Sequence, residues 1–114
     1  MQNLAIKLLA SPTTLTMAER KKFMVGLEVV NRGDAAVDPG LYNCTLTVNG
    51  QPGYAWDLAI QNGPREAAWS MLPPGKTVTM SWPLGEALFE HPGTYHLVMK
   101  LGKQESTADV HVTK

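Results

Sequence analysis

Cysteine is almost missing from this chain of 114 residues, because Cys44 is the single one. One cysteine cannot form an intramolecular disulfide, so no such bridge can join two parts of the fold. We interpret Cys44 as a small buried apolar residue on a strand, because no histidine can be placed beside it to activate a nucleophile. Two cellular compartments are compatible with this composition, since the reduced cytosol and a bacterial periplasm both tolerate one unpaired cysteine.

An excess of charge of either sign is also missing, because Lys plus Arg and Asp plus Glu number 10 each. The chain therefore has no basic field for phosphate backbones and no acidic tail, and we expect no nucleic acid partner. Hydrophobic residues make up 44% and charged residues 18%, which indicates a folded chain. The length suits a single domain over residues 1–114 with one core.

Long apolar runs are missing too, since no stretch approaches the roughly 18 residues that span a bilayer. The first ten residues, Met1–Ala10, have too short an apolar part and no basic lead-in, so they do not resemble a signal peptide. We expect no membrane span. The chain is then either cytosolic or the mature form of an exported domain.

What the sequence does contain is strict alternation, seen most clearly in Leu72–Trp82. After a Pro-Pro-Gly turn, Val78, Met80 and Trp82 alternate with Thr and Ser residues, which predicts a strand with one face on a core and one face in water. Similar runs predict further strands over Leu4–Leu9, Thr13–Met17, Lys22–Val30, Tyr42–Val48, Tyr54–Ile60, Thr94–Leu101 and Ser106–Val112. Turn signals at intervals of about eight to twelve residues predict an all-β sandwich.

The rims of this sandwich can be predicted from proline and from strand order. Ser11-Pro12 interrupts the first strand, and proline is tolerated mainly at edges, so Thr13–Met17 is expected to continue on the other sheet. We predict that the first strand and Tyr54–Ile60 form the open rims, where a partner strand can add.

Three shorter segments have local interpretations. Arg65–Met71 is expected to form a short strand or one helical turn that carries Trp69. Glu86–Glu90 is expected to form a helical turn that places its apolar residues on an open end of the sandwich. Arg32-Gly33-Asp34 matches a tripeptide that some cell-surface receptors recognise, but we interpret it as a turn between strands.

Residues with catalytic or metal-binding chemistry do not form a complete site. His96 and His111 are neighbours if the last two strands pair, but two imidazoles without a nearby carboxylate or thiolate make an incomplete metal site. Glu86 and Glu90 lie in a loop without a visible cleft, so we interpret them as solvated. We predict no cofactor, no metal and no enzymatic activity.

The tryptophans allow two interpretations, a core or a surface that stacks on sugars. Trp56 and Trp82 have the core parity of their predicted strands, which favours burial, whereas the parity of Trp69 cannot be assigned. If Trp69 is exposed near Tyr54 or Phe89, these residues form an apolar patch of the kind that marks a binding surface.

Three motifs together carry a resemblance to a known group. They are Leu27–Gly33, which ends in Asn-Arg-Gly, the Leu72–Gly75 turn before the alternating strand, and Pro92–Leu97. The combination resembles bacterial immunoglobulin-like domains, in particular the intracellular proteinase inhibitor (BsuPI-like) family and CARDB-like domains. The resemblance implies an immunoglobulin-like antiparallel β-sandwich of about seven to eight strands. The tryptophan-rich middle of the inhibitor pattern is only loosely echoed by Tyr54–Asp57 and Ala68–Ser70, so no reactive-site residue is carried over.

On function, the resemblance implies serine protease inhibition for one relative and an adhesion or accessory role for the other. We expect a non-catalytic module that meets another protein through an edge strand or end loops, with a patch formed by Trp69, Leu88 and Phe89. The alternative is a protease inhibitor that inserts Gln61–Arg65 or Leu84–His91 into a protease, with Arg65 as the primary side chain. A second alternative is carbohydrate binding by tryptophan stacking.

Overall fold

Eight strands form two packed sheets in the computed structural model, which describes residues 4–62, 69 and 71–114. The strands are β1 Leu4–Ser11, β2 Thr14–Thr16, β3 Met24–Asn31, β4 Thr45–Val48, β5 Gln51–Pro52, β6 Thr77–Trp82, β7 Gly93–Leu101 and β8 Gln104–Thr113. One sheet has the order β1-β3-β6 and the other the order β2-β8-β7-β4-β5. The predicted all-β sandwich of about seven to eight strands is confirmed, and Cys44 is a free, buried thiol.

Alternating apolar residues build the core between the sheets, as the sequence predicts. Val25, Leu27 and Val29 of β3 are buried, and they face the buried alternate residues of the other strands. In β6 the buried residues are Val78 and Met80, whereas Thr77 and Thr79 are exposed. Each fully buried Val or Leu stabilises the fold by about 1.5–3 kcal/mol, so this pattern supplies the main driving force for folding.

The first strand is divided between the two sheets at Ser11-Pro12, which has a cis peptide bond. Before it, β1 pairs with β3 in an antiparallel register from Leu4 to Ser11. After it, β2 pairs with β8 in a parallel register, so Leu15 lies opposite Val112. The predicted crossing to the other sheet is confirmed, while the parallel pairing departs from the purely antiparallel sandwich.

The outer rim of β1, predicted to be open, is occupied by side chains of β8. The amide of Ile6 donates to Oε1 of Gln104 (3.2 Å), and the amide of Leu8 donates to Oγ of Ser106 (2.9 Å). Nε2 of Gln104 in turn donates to the carbonyl oxygen of Leu4. These bonds satisfy backbone groups that an additional strand would otherwise use, so this rim is closed.

The segment predicted as a strand over Tyr54–Ile60 is instead helix α1, Tyr54–Asn62. Its apolar residues fit the period of two of a strand and also the spacing of four of a helix. Trp56 and Ile60 are four residues apart and therefore share one helix face. Both are buried, and the helix packs against β4 and against residues Leu41–Asn43. Packing of this helical face overrode the strand preference of the Tyr, Trp and Ile residues, and the prediction of a rim here is wrong.

Three shorter helical segments accompany α1 in the described residues. A 3-10 turn, Leu41–Asn43, occupies the start of the predicted strand Tyr42–Val48, so β4 begins only at Thr45. The predicted helical turn over Glu86–Glu90 is confirmed as α2, Gly85–Leu88. Gly85 packs against the 3-10 helix Met17–Lys22, where an added Cβ would overlap the carbonyl oxygen of Arg20. This close approach lets α2 cover one end of the core.

Candidate interaction surface

The predicted partner patch of Trp69, Leu88 and Phe89 does not form on the outside of the structure. Trp69 and Phe89 are buried, with 5% and 0% of their surface exposed, and Leu88 is half-buried. Arg65, together with most of the segment Arg65–Met71, lies outside the described residues. The expected exposed patch around Trp69 and Phe89 is therefore absent, because both rings fill the core.

Phe89 fills the end of the sandwich covered by α2. Its ring centroid lies 4.8 Å from that of Phe23 and 4.7 Å from that of Tyr95. The guanidinium of Arg20 donates from Nη1 to the carbonyl oxygen of Phe89 (3.0 Å) and fixes the chain at this point. The segment Leu84–His91 is consequently a packed helical turn with a buried anchor and not a protruding extended loop.

The tryptophans form an internal cluster with edge-to-face geometry. Trp82 lies between Trp56 and Trp69, with ring centroids 5.2 Å and 6.4 Å away, and Tyr42 contacts Trp69 at 5.8 Å. Trp56 is buried, as predicted, while Trp82 is half-buried at the end of β6. Rings packed edge to face against each other present no row of free aromatic faces for stacking on sugars.

An apolar surface does exist on the outer side of α1. Tyr54 and Leu58 are 70% and 65% exposed, and they lie one helical turn apart on the same face. They border a groove of about 450 Å³, here called the α1–α2 groove, whose apolar lining includes Val48, Tyr54, Leu58, Ala87 and Leu88. Gln51 and Glu90 place polar groups at its border. Of the predicted surface residues that the structure describes, Leu88 alone lines this groove.

The sequence analysis did not predict Leu58 as a surface residue, although the spacing of the apolar residues in α1 indicates it. Helix α1 has two pairs of large residues at a spacing of four, with Trp56 and Ile60 inside and Tyr54 and Leu58 outside. A helix that is apolar on both faces has more apolar surface than one core contact can bury. An interpretation of this spacing as helical would have predicted the second apolar face, which contains Tyr54 and Leu58.

The two histidines on the last hairpin each have a different polar neighbour. The register places His96 opposite Asp109 and Thr94 opposite His111, so the histidines themselves are diagonal neighbours. Nδ1 of His96 lies 2.6 Å from Oδ1 of Asp109, and both side chains are about half exposed. The sequence argument missed this carboxylate beside His96. In the part of the chain that is described, no three His, Cys, Asp or Glu residues are grouped so as to hold a metal ion.

Cys44 has the environment of a core residue. Burial raises the pKa of its thiol to about 12, although the indole of Trp56 acts in the opposite direction. Nε1 of Trp56 makes no hydrogen bond of normal geometry, so its interaction with the sulfur is weak. The thiol stays protonated near neutral pH and is a poor nucleophile.

The turn interpretation of Arg32-Gly33-Asp34 is confirmed by the contacts of Asn31. This side chain is buried and donates to the carbonyl oxygens of Ala35 and Leu72, both at 2.9 Å. Its Oδ1 accepts the amide of Gly33 at 2.9 Å. Asn31 thus closes the loop after β3 and fastens it to the chain before β6.

Helices of the described residues are all too short or too polar to cross a bilayer.

Comparison with known proteins identifies the fold. No family model matches this sequence, and no curated protein does so. Among solved structures, this chain is similar to a CARDB domain from Pyrococcus furiosus that was determined in complex with di-metal ions. The TM-score is 0.59 and the sequence identity is 16%, and the match covers 98% of this chain and 94% of that chain. The chain therefore has a CARDB-like, immunoglobulin-like fold.

Two β-glucosidases contain a similar sandwich. The enzyme EmGH1 from Erythrobacter marinus matches with a TM-score of 0.55 at 12% identity over 98% of this chain. The enzyme from Listeria innocua, in complex with glucose, matches with a TM-score of 0.55 at 12% identity over 99% of this chain. In both cases the match spans only 16% of the β-glucosidase chain.

Proposed function

We propose that this chain is a non-catalytic accessory module that binds another protein in the α1–α2 groove. The observation that carries the proposal is the exposure of Tyr54 and Leu58 next to the half-buried Leu88. A contiguous group of exposed apolar side chains marks an interaction site, and tyrosine is enriched among the residues that anchor protein interfaces.

The layout of the groove supports a protein ligand. Its centre is apolar and its border carries Gln51 and Glu90, an arrangement typical of small interfaces with a desolvated centre and a polar rim. Burial of apolar surface contributes about 25 cal/mol per Å², so one anchoring side chain from a partner gains about 1.5–3 kcal/mol here. Helix α1 is fixed from below by Trp56 and Ile60, so the surface is presented without a large ordering cost.

An accessory role is also consistent with the fold comparisons. A sandwich of this shape occupies 16% of the β-glucosidase chains, where most of the chain is other structure. The described residues do not fit metal ions like those of the Pyrococcus furiosus domain, because no third His, Cys, Asp or Glu is grouped with His96 and Asp109.

The non-catalytic part of the proposal rests on the chemistry of individual groups. The thiol of Cys44 is buried and protonated, which removes the single cysteine as a nucleophile. His96 lies on an open sheet face and is paired with Asp109, and no described hydrogen bond links it to a hydroxyl or thiol that it could activate.

The test is capture of partners on three immobilised proteins: the wild type, Leu58→Ser and Met24→Ser. Met24 is 38% exposed on the three-stranded sheet, so Met24→Ser is a matched loss of an exposed apolar side chain outside the groove. We expect a protein that is retained by the wild type and by Met24→Ser but lost with Leu58→Ser. Equal retention by all three, or retention by none, would contradict the proposal.

Protease inhibition remains the alternative prediction, with Arg65 as its primary side chain. Of its two candidate loops, Leu84–His91 lacks the extended form that a protease cleft accepts. Inhibition of a trypsin-like protease that disappears with Arg65→Ala would favour this alternative, and inhibition unchanged by Arg65→Ala would remove the assignment.

A further inference from the structure

The three-stranded sheet has two rims, and among the described residues only the rim of β1 has a neighbour that covers it. Side chains of β8 occupy the rim of β1, as described above. At the opposite side, β6 pairs with β3 and, within the described residues, with no other strand. The side chains of Thr77, Thr79 and Ser81 are exposed along this strand.

The β6 rim lacks the features that protect edge strands from pairing. Thr77–Trp82 contains no charged residue and no proline, and it alternates regularly over its full length. Natural edges are commonly blocked by lysine, proline or a bulge. Here Lys76 lies just before the strand and Pro83 just after it, so the strand between them is a template for another strand.

We propose that this rim binds a second copy of the chain, so that two three-stranded sheets join into one six-stranded sheet. The pairing is antiparallel about a two-fold axis at Thr79. This surface is separate from the α1–α2 groove, and the inference does not depend on the proposed function.

The register follows from the alternation and from the flanking residues. Residues that face each other across an antiparallel pair must lie on the same side of the sheet. An axis at Met80 would place Pro83 opposite Thr77 and lose a ladder bond, because proline has no amide hydrogen. An axis at Val78 would bring in Gly75, whose φ of 73° is not that of a strand. The axis at Thr79 uses residues 76–82 and avoids both.

This register is self-complementary in chemistry. On the outer side, Thr79 faces its own copy and Thr77 faces Ser81 of the second copy, which pairs hydroxyl groups. On the core side, Val78 faces Met80 of the second copy. Lys76 lies opposite Trp82 of the second copy. No like charges are opposed, and the formal net charge of 0 adds no long-range repulsion between copies.

The expected association is weak, because one strand pair buries less than the roughly 1,200 Å² of a standard interface. Sedimentation velocity of the wild type should therefore show a mass that rises from monomer to dimer with protein concentration. Thr79→Lys places two lysines opposite each other at the axis and should abolish this rise. Thr107→Lys, on the exposed face of the internally paired strand β8, is the matched control and should leave it unchanged.

A cysteine test reads out the register itself. Residues directly opposite in an antiparallel pair have Cα atoms about 4.5–5.5 Å apart, within the range of a disulfide. Thr79→Cys should therefore form a covalent dimer under mild oxidation. Thr77→Cys should not, because its copy lies four residues away along the strand, at about 13 Å. Thr107→Cys measures cross-linking by random collision.

Each outcome of these experiments either supports or overturns the inferred pairing. A concentration-dependent dimer that Thr79→Lys removes, together with cross-linking of Thr79→Cys above the Thr107→Cys level, supports the inference. A wild type that stays monomeric, or a dimer unaffected by Thr79→Lys, overturns it. Cross-linking of Thr77→Cys in preference to Thr79→Cys overturns the register.

Discussion

The two rims of the three-stranded sheet show how the same kind of edge can be closed or left available. Strand β1 lies beside β8 of the second sheet, whose Gln104 and Ser106 bond the outer backbone groups of Leu4, Ile6 and Leu8. Strand β6 has no such neighbour among the described residues, and its outward side chains are exposed. The difference lies in what the chain places beside each strand.

The largest expected effect concerns the contact that joins β6 to the sheet. Gly26 lies opposite Ser81, and an added Cβ would overlap the carbonyl oxygen of Met80 and lie 2.6 Å from Cβ of Ser81. Gly26→Ala should lower the free energy of unfolding by about 3 kcal/mol, because β6 must move away. Chemical denaturation measures this effect, with Glu28→Ala on the same face of β3 as control. A change no larger than that of the control would show that β6 adapts freely.

The next largest effect is expected at the rim of β1, where a single substitution removes one of the bonds that cover it. Ser106→Ala removes the acceptor of the Leu8 amide, and Leu8 is a buried residue. We expect a loss of about 1–3 kcal/mol and faster hydrogen exchange of this amide, because a buried donor is left without a partner. Thr107→Ala, at the exposed neighbouring position, should have little effect. Unchanged exchange at Leu8 would mean that the rim is closed by other contacts.

The smallest effect is a pH dependence at the crossing between the sheets. Oε1 of Glu19 accepts the amide of Thr16 at 2.9 Å, and this bond holds the pKa of the carboxyl below its ordinary value of 4.5. A lowered pKa stabilises the fold at pH values above 4.5, and the contribution is lost as pH falls through the folded-state pKa. Glu19→Gln should reduce the acid dependence of stability, measured by denaturation at stepped pH. Glu86→Gln is the control, and equal slopes for both variants would contradict this role.

Much of the sandwich was predictable because alternation is a local property. In β3, β6 and β7 every second residue is apolar, and the buried sets agree with the predicted core faces. The division of the first strand was also predictable, because proline at position 12 cannot continue a ladder. These predictions needed no knowledge of which strands meet.

Helix α1 and the candidate surface were not predictable in the same way. Tyr54, Trp56, Leu58 and Ile60 satisfy a period of two as well as a spacing of four, so the pattern does not separate strand from helix. Trp69 and Phe89 were assigned to a surface, but neighbouring aromatic rings bury them. Exposure of a large side chain depends on what packs over it, and that is a property of the assembled fold.

By itself, the sequence determined the alternating strands, the turns between them and the absence of a disulfide, since each depends on neighbouring residues or on composition alone. Only the tertiary structure decided that β8 closes the rim of β1, that Tyr54 and Leu58 line a groove with Leu88, and that β6 borders no other described strand. The physical reason is that these properties depend on contacts between residues far apart in the chain. A local pattern can indicate which face of a strand is apolar, but not which neighbour covers its edge.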